Sequence, residues 1–538
     1  PPSRVSSILA WALSAAIATA VTIPAGYVLV ATDAPVGTSY DAATGIWTAP
    51  SGLAVGASTQ LALTLRAETE DPATGVPDRV VLNPTEDTTT SVMVTWRTAA
   101  GLDDHRAQVR LPGGSRLVGE FLSSHEESAM SQPEAEHHSA LMDGLEPGTA
   151  YEYRVGGEAG WSRWRPMRTA DEGSEPFTFL YFGDAQNGLT DWWPPVVRRA
   201  LRGEPDARLT LHEGDQINEA DNDPEWGDWF RGAERLLTST LTLTSPGNHE
   251  YSGDQFLTGY RAHYEYPLIG LNANQQLGAP DQAIWLRRIA LTENPMDWTV
   301  VFFHHPVFSA SEGRDNPQLR AFWLPTFEEL GIDLVLQGHD HTYARGHLTE
   351  NETGPGAHVG PTYVVSVAGS KYYELAPADD NVWTQNDATR VLAHAQTSTY
   401  QAISVSQDRL VYRSVIGAKG EGSTTDRERG DLLDAFTITR GEDGTKVVED
   451  GLPTRVKVQR ARLKGRSGVV VARLLAPRHR PTGRVTAWAG EQKVGAGRLR
   501  NGRVRITLRG LPRGTGAVEL RYSGDGRARA ATRAVPLG

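Results

Sequence analysis

The chain of 538 residues contains no cysteine. That excludes disulfides, thiolate metal ligands and a cysteine nucleophile, and it says nothing of the compartment. Long apolar runs are also missing, with one exception from Ile8 to Ala25. This uncharged stretch reads either as the core or remnant of an export signal or as an N-terminal β-strand, because Ser14, Thr19, Thr22 and Pro24 dilute it. With no second such run, the rest of the chain is expected to be soluble. Acidic side chains are scarce at one end: from Arg455 onward, 21 Lys and Arg face only Glu491, Glu519 and Asp525. Since the whole chain carries a formal charge of −12, everything before Arg455 is strongly acidic. An acidic body disfavours duplex nucleic acid as ligand. The basic end is either solvated surface or a contact for an anionic cell-wall or surface polymer.

A chain of this length is expected to form several domains. After the apolar segment 1–25, residues 26–75 read as short strands and turns. Their Tyr40-Asp41-Ala42-Ala43-Thr44-Gly45-Ile46-Trp47 and the strand from Ser58 resemble the closing part of a repeat domain of bacterial surface proteins. That resemblance implies a start further upstream and a secreted or cell-surface, extracytoplasmic location in a bacterium. Residues 76–170 form a different β pattern, in which Ser91 to Thr98 alternates toward Trp96. Leu145-Glu146-Pro147-Gly148-Thr149 followed by Tyr151 and Tyr153 resembles the tyrosine corner of a fibronectin type III sandwich, where a buried hydroxyl needs a main-chain partner. Residues 174–440 alternate strands with helix-like segments at Trp192 to Arg202, Glu225 to Leu237, Pro280 to Leu291 and Pro317 to Leu330, then turn β-rich. Such alternation implies sheets with helices on their outer faces. Residues 441–454 read as a polar linker. In residues 455–538 apolar positions alternate with Arg, as in a half-exposed sandwich strand, and Glu519 to Asp525 resembles the last strand of bacterial Ig-like repeats. The expected fold class is multidomain: an α/β four-layer body, two β-sheets flanked by helices, with all-β fibronectin/Ig-like domains on both sides.

Five segments within that body run an apolar, strand-like stretch into a metal-ligand type of residue. They are Gly183-Asp184, Gly214-Asp215, Gly247-Asn248-His249, His304-His305 and Gly338-His339-Asp340-His341. The preceding runs are of strand length and rich in β-branched or aromatic residues, so each delivers its polar residue at the C-terminal edge of a strand, where α/β sheets gather ligands. Two Asp, one Asn and several His form an oxygen and nitrogen set suited to first-row metals. Two cations held close together require a bridging anion. Asp215, after the permissive Gly214, is the candidate bridge. Asp184 and His341 are assigned to a first metal, and Asn248, His304 and His339 to a second. His339 and His341 are two apart, and in an extended segment both would face one way.

These ordered blocks, with Gly247-Asn248-His249-Glu250 and Gly338-His339-Asp340-His341, resemble those of the calcineurin-like metallophosphoesterases. The fibronectin-like segment before them is similar to that of the purple acid phosphatase branch. The resemblance, over residues 77–440, implies a metallophosphoesterase sandwich with two metal ions (Fe, Mn, Zn or Mg) on Asp184, Asp215, Asn248, His304, His339 and His341. It also implies His249 as proton donor to the leaving group or as phosphate contact, a phosphate ester as substrate, and hydrolysis of monoesters by hydroxide generated on the metals. His305 is not carried over as a ligand. Two departures stand out. Purple enzymes place Tyr three residues after the bridging Asp, where this chain has Asn218, and other metallophosphoesterases place His two after the first Asp, where it has Gln186. Asn218 then enters as a neutral ligand candidate of the first metal, and without a phenolate divalent ions and a colourless protein are expected. Plant-type relatives carry histidines at the positions of Gly313 and Arg314. Arg314 is either a bidentate phosphate contact or a solvated loop residue paired with Asp315.

Other conspicuous residues receive plainer roles. His137, His138, His212, His263 and His347 read as packing or surface histidines, Trp192, Trp193, Trp226 and Trp229 as helix packing, and Asp221 and Asp223 as capping or solvent-facing residues. Two other functions remain open: a phosphodiesterase built on the same two-metal core, and an adhesion or surface-binding protein whose phosphoesterase body is vestigial.

Overall fold

The computed structural model describes residues 73–537 apart from 103, 128–134, 265–270, 275 and 293–295, together with six strands among residues 3–67. The chain divides into two compact units, Pro1–Pro72 and Ala73–Gly538. In the first, Ser58–Ala67 pairs antiparallel with both Ser3–Ala10 and Tyr27–Asp33, and Ile46–Ala49 pairs with Ile17–Ala20 and Ser39–Asp41. The apolar run from Ile8 to Ala25 thus contributes residues to two strands, and its other residues lie outside the described ones. No helix among the described residues is long and apolar enough to cross a membrane.

The second unit opens with a β-sandwich. Strands Asp78–Asn83, Val92–Ala99 and Ala135–Met142 face a sheet built on Arg106–Arg110 and Ala150–Gly157, around Val94, Trp96, Val109, Tyr151 and Tyr153. The buried Tyr151 hydroxyl accepts the Glu146 N–H at 2.9 Å, the main-chain partner expected of it. Tyr153 instead donates its hydroxyl to Thr238 O at 3.0 Å, in the following domain. The first strand of the sandwich continues that domain's sheet, Leu82 pairing parallel with Leu241.

In the α/β body, Phe177–Phe182, Leu209–His212 and Leu241–Thr244 run parallel, and the antiparallel strands Thr397–Ser406, Arg409–Lys419 and Leu432–Arg440 extend the same sheet. A second sheet carries Val300–Phe302, Leu334–Gln337 and Thr362–Val365 in parallel, edged by Tyr343–Leu348 and Ala388–His394. Their inner faces share a core of Tyr181, Leu336, Tyr343, Ile403, Tyr412 and Phe436. Helices α1 (Trp193–Gly203) and α2 (Asp223–Leu237) cover the first sheet through Trp193, Trp226 and Trp229, beside a short α3 (Thr258–His263). Helices α4 (Ala279–Thr292) and α5 (Pro317–Leu330) cover the second, Trp323 and Phe327 packing on Phe303. The result is the expected four-layer α/β/β/α sandwich. Local sequence explains the helices. In α1, buried Trp193, Val196, Val197 and Ala200 recur at helical spacing behind prolines in the first turn, and α5 stops at Gly331 with φ of 60°.

Two expectations need correction. Within the polar stretch read as linker, Lys446–Asp450 is a strand paired with Leu432–Arg440, because Val448 finds a buried place on the sheet. Asp223 is not solvent-facing: at the start of α2 it is buried, accepting from Arg79 at 2.6 and 2.7 Å and from Arg97 at 2.9 Å. Arg97 also pairs with Asp78 at 2.6 Å. This cluster joins the sandwich to the body. Beyond Leu452 a second sandwich closes around Val470, Val485, Ile506 and Leu520, its Arg529 paired with Glu449 of the first sheet of the body. Removing one partner of a buried ion pair strands the other charge. Asp223→Ala is therefore expected to cost about 3–5 kcal/mol, seen as an earlier first transition in urea unfolding followed by tryptophan fluorescence.

Candidate metal centre

All five blocks meet at the C-terminal edges of their strands. Asp184 follows Phe177–Phe182, Asp215 follows Leu209–His212, Asn248 and His249 follow Leu241–Thr244, His304 follows Val300–Phe302, and His339 and His341 follow Leu334–Gln337. The loops carrying them approach so closely that only glycine fits between them. A Cβ on Gly338 would lie 2.1 Å from Glu213 Oε1 and 2.3 Å from Asp184 Oδ1.

Asp215, His339 and His341 all have left-handed backbone, with φ of 48°, 69° and 49°. The extended geometry expected for His339 and His341 is thus replaced by two left-handed residues, and the side chains are delivered by a tight bend. Each such residue costs about 1–3 kcal/mol and needs its surroundings to hold it. Glu250 does so for Asp215: its carboxylate accepts the N–H groups of Asp215, Gln216 and Gly247 at 2.9, 2.7 and 2.6 Å. Burial, and then the Asp215 charge, push the Glu250 pKa up to about 7. The His339 N–H is held by Asp184 Oδ1 at 2.7 Å.

Donor atoms converge around Asp184 and Asp215. Asp184, Asp215 and His341 bring theirs within 4.8 Å of one another. On the other side His304 Nε2 lies 3.1 Å from Asp215 Oδ2, 3.2 Å from Asn248 Oδ1 and 3.0 Å from His339 Nδ1. The histidines are oriented from behind: His304 Nδ1–H donates to Glu213 Oε2 at 2.9 Å and His341 Nδ1–H to Lys371 O at 3.0 Å. Both Nε2 atoms therefore face the centre. Burial would lower the pKa of His304, but the carboxylates of Asp215, Glu213 and Asp184 hold it well above the usual value. Burial alone would raise Asp184, yet His341, His304 and His339 hold it far below the ordinary carboxylate range. His339 is held far below the usual imidazole value by burial and by its histidine neighbours.

The residues fit a metal pair. Asp184 Oδ2 is buried without a hydrogen-bond partner and stands 3.1 Å from His341 Nε2, two lone-pair donors aimed at a common region that a cation would complete. Carboxylate, amide and imidazole together suit first-row divalent ions.

The main chain of Asn218 also bears on the site, its carbonyl accepting from His249 Nδ1 at 2.6 Å and its N–H bound to Glu225 at 2.6 Å. The Nε2 of His249 is left facing Asp215 Oδ2 at 3.9 Å. Gln186 donates from Nε2 to Asp215 Oδ2 at 2.9 Å. Arg314 pairs with Asp340, at 3.0 Å, rather than with Asp315, which Arg320 takes. Its guanidinium lies over Tyr373, which also packs on His341. His305 packs against His339 with ring centres 3.9 Å apart and has its pKa lowered to about 3 by burial and by His304. With Asn248, Tyr251 and Asn274, His305 lines a cavity of about 330 Å³ beside the centre.

Sequence reasoning passed over Glu213, Glu250 and Asp340. All three are fully buried and lie within or beside a ligand block; for Glu213, a carboxylate between an apolar strand and Gly214 was the available signal. Glu213 accepts both His304 Nδ1–H and the Asp184 N–H, the latter at 2.7 Å. Glu213→Gln is expected to weaken metal binding roughly 10- to 100-fold without altering the circular dichroism spectrum. Unchanged metal titration would reduce Glu213 to a packing residue.

Comparison with known proteins agrees with this geometry. Residues 77–169 match the family described as purple acid phosphatase, N-terminal domain, and residues 177–343 match calcineurin-like phosphoesterase. An uncharacterized protein of Mycobacterium tuberculosis is 25% identical over 325 residues, covering 49% of this chain and 61% of its own. Acid phosphatase type 7 of Homo sapiens is 27% identical over 250 residues, 39% of this chain and 56% of its own. The chain thus spans about three fifths or less of the length of these relatives. The solved purple acid phosphatase from yellow lupin seeds shares the fold, with a TM-score of 0.57 at 15% identity over 72% of this chain and 78% of that one.

Proposed function

For a chain that carries a calcineurin-like phosphoesterase domain behind a purple acid phosphatase N-terminal domain, we propose hydrolysis of phosphate monoesters at a dinuclear metal centre. The observation that carries this reading is the place of the Asp215 carboxylate, grouped with the donors of Asp184 and His341 and with Oδ2 3.1 Å from His304 Nε2, while His249 Nε2 stands 3.9 Å away. Asp184, Asp215 and His341 would hold one ion, and Asp215, Asn248, His304 and His339 the other. When bound, the ions supply Lewis acidity for the phosphoryl group and acidify a water.

The chain's own groups do the rest. The Asn218 carbonyl fixes the Nδ1 side of the His249 ring, so its Nε2 can carry the proton delivered to the departing alkoxide. The cavity beside Asn248, Tyr251 and His305 accommodates the alcohol portion of the ester. Arg314 is anchored by Asp340, and its charge reaches His305 and His339. An added cation favours a monoester dianion over a diester monoanion. The basic C-terminal domain supports residence on an anionic surface outside the cytoplasm.

Parallel assays with nitrophenyl phosphate and bis-nitrophenyl phosphate test the preference: faster turnover of the diester would sink the monoester reading. Asp215→Asn is expected to lose both bound metal and turnover. His249→Ala should keep its metal yet slow an alkyl phosphate roughly 10²- to 10⁴-fold, and full activity on that poor leaving group would refute its role as proton donor. Arg314→Ala should raise KM several-fold with kcat little changed.

A further inference from the structure

The C-terminal sandwich divides its charges between its two sheets. In the sheet of Arg455–Lys464, Ser467–Leu475 and Arg503–Leu508, apolar side chains turn inward and the alternate positions turn out. Cross-strand register aligns the outward residues in rows: Lys457 with Arg473 and Arg503, then Arg460 with Val471 and Arg505, then Arg462 with Val469 and Thr507. Six exposed cations therefore stand in these three rows of one sheet face. Neighbours are about 4.8 Å apart between strands and about 6.8 Å apart along them.

No carboxylate shares this face. Of the domain's three acids, Glu519 belongs to the other sheet, where it pairs with Arg521 at 2.8 Å. Asp525 accepts from His479 and Thr482, and Glu491 lies between two strands of the other sheet. Among the described residues no ion pair neutralises any of the six. Such a concentration of like charge destabilises the folded state unless a counter-charge is present.

We propose that this face binds a linear polyanion whose charges are phosphates. Five of the six cations are Arg, whose planar fork matches phosphate oxygens two at a time. A chain laid across the three strands meets three cations in the first row and two in the second. The three strands hold no aromatic side chain on which bases could stack. Apart from Leu475 at one corner, the face has no exposed large apolar side chain to anchor in a membrane. The proposal is independent of the phosphoesterase reading and adds to it a way of holding the enzyme on a phosphate polymer.

The test is titration of the full chain with long-chain polyphosphate in EDTA, so that the metal centre does not consume the probe, at several salt concentrations. The triple variant Arg473→Ser, Arg503→Ser, Arg505→Ser is expected to bind at least tenfold more weakly. Its slope of log affinity against log salt should be shallower by about 2, near 0.7 per lost contact. Arg484→Ser with Arg498→Ser, on the opposite sheet, should bind within twofold of the unaltered protein. Thermal unfolding checks that each variant is folded. Equal polyphosphate binding by the triple variant would overturn the proposal. So would tighter binding of phosphatidylglycerol vesicles or single-stranded DNA than of polyphosphate.

Discussion

Asp215 Oδ2 lies within hydrogen-bonding distance of His304 Nε2 and Gln186 Nε2, and the Asp215 carboxylate is also grouped with the donors of Asp184 and His341. One carboxylate can reach donors on both sides only if its residue is held rigidly and aimed inward. Left-handed backbone at Asp215 does the aiming, and Glu250, through three main-chain N–H groups, does the holding. Without that fixed carboxylate the histidines on either side would be two unrelated clusters.

The rest of the body serves this convergence. Two sheets packed face to face bring the ends of five strands to one edge, and the aromatic core between them, including Tyr181 and Tyr343, fixes their spacing. Tyr181 also donates its hydroxyl to Gln337 O at 2.6 Å, tying the strand before Asp184 to the strand before His339. Glu213 then links the loops themselves, through the Asp184 N–H on one side and the His304 ring on the other. Buried carboxylates of this kind are stable only while their hydrogen bonds are satisfied, so orientation of the ligands and stability of the loops come from the same contacts.

The flanking sandwiches are joined to the body in different ways. The first shares its sheet through Leu82 and Leu241 and a buried Arg79–Asp223–Arg97 cluster. The last meets it through Leu452, Val411 and Ala435 and the Glu449–Arg529 pair. Its charge is opposite to that of the acidic body, and six of its cations stand in rows on one sheet face without an ion pair among the described residues.

Much of this was legible in the chain. Apolar runs ending in Gly-Asp, Gly-Asn-His or Gly-His-Asp-His mark strand ends, helix periodicity marks α1, α2, α4 and α5, and alternation with Arg marks the last sandwich, because each signal is local and repeats with the period of its element. The six candidate ligand residues follow from the same local pattern, whereas the role of His249 comes from the resemblance to the metallophosphoesterases. What lay beyond it depended on partners distant in sequence. Asp223 looks like a cap until Arg79 and Arg97 arrive from 144 and 126 residues away. Arg314 looks like a partner of Asp315 until Asp340 folds beneath it, and the hold of the Asn218 carbonyl on His249 has no counterpart in the local sequence. By itself the sequence determined which residue types reach the strand edges. Only the tertiary structure decided which carboxylates hold ligands and which hold the backbone, because that depends on distances across the sheets, which no local pattern records.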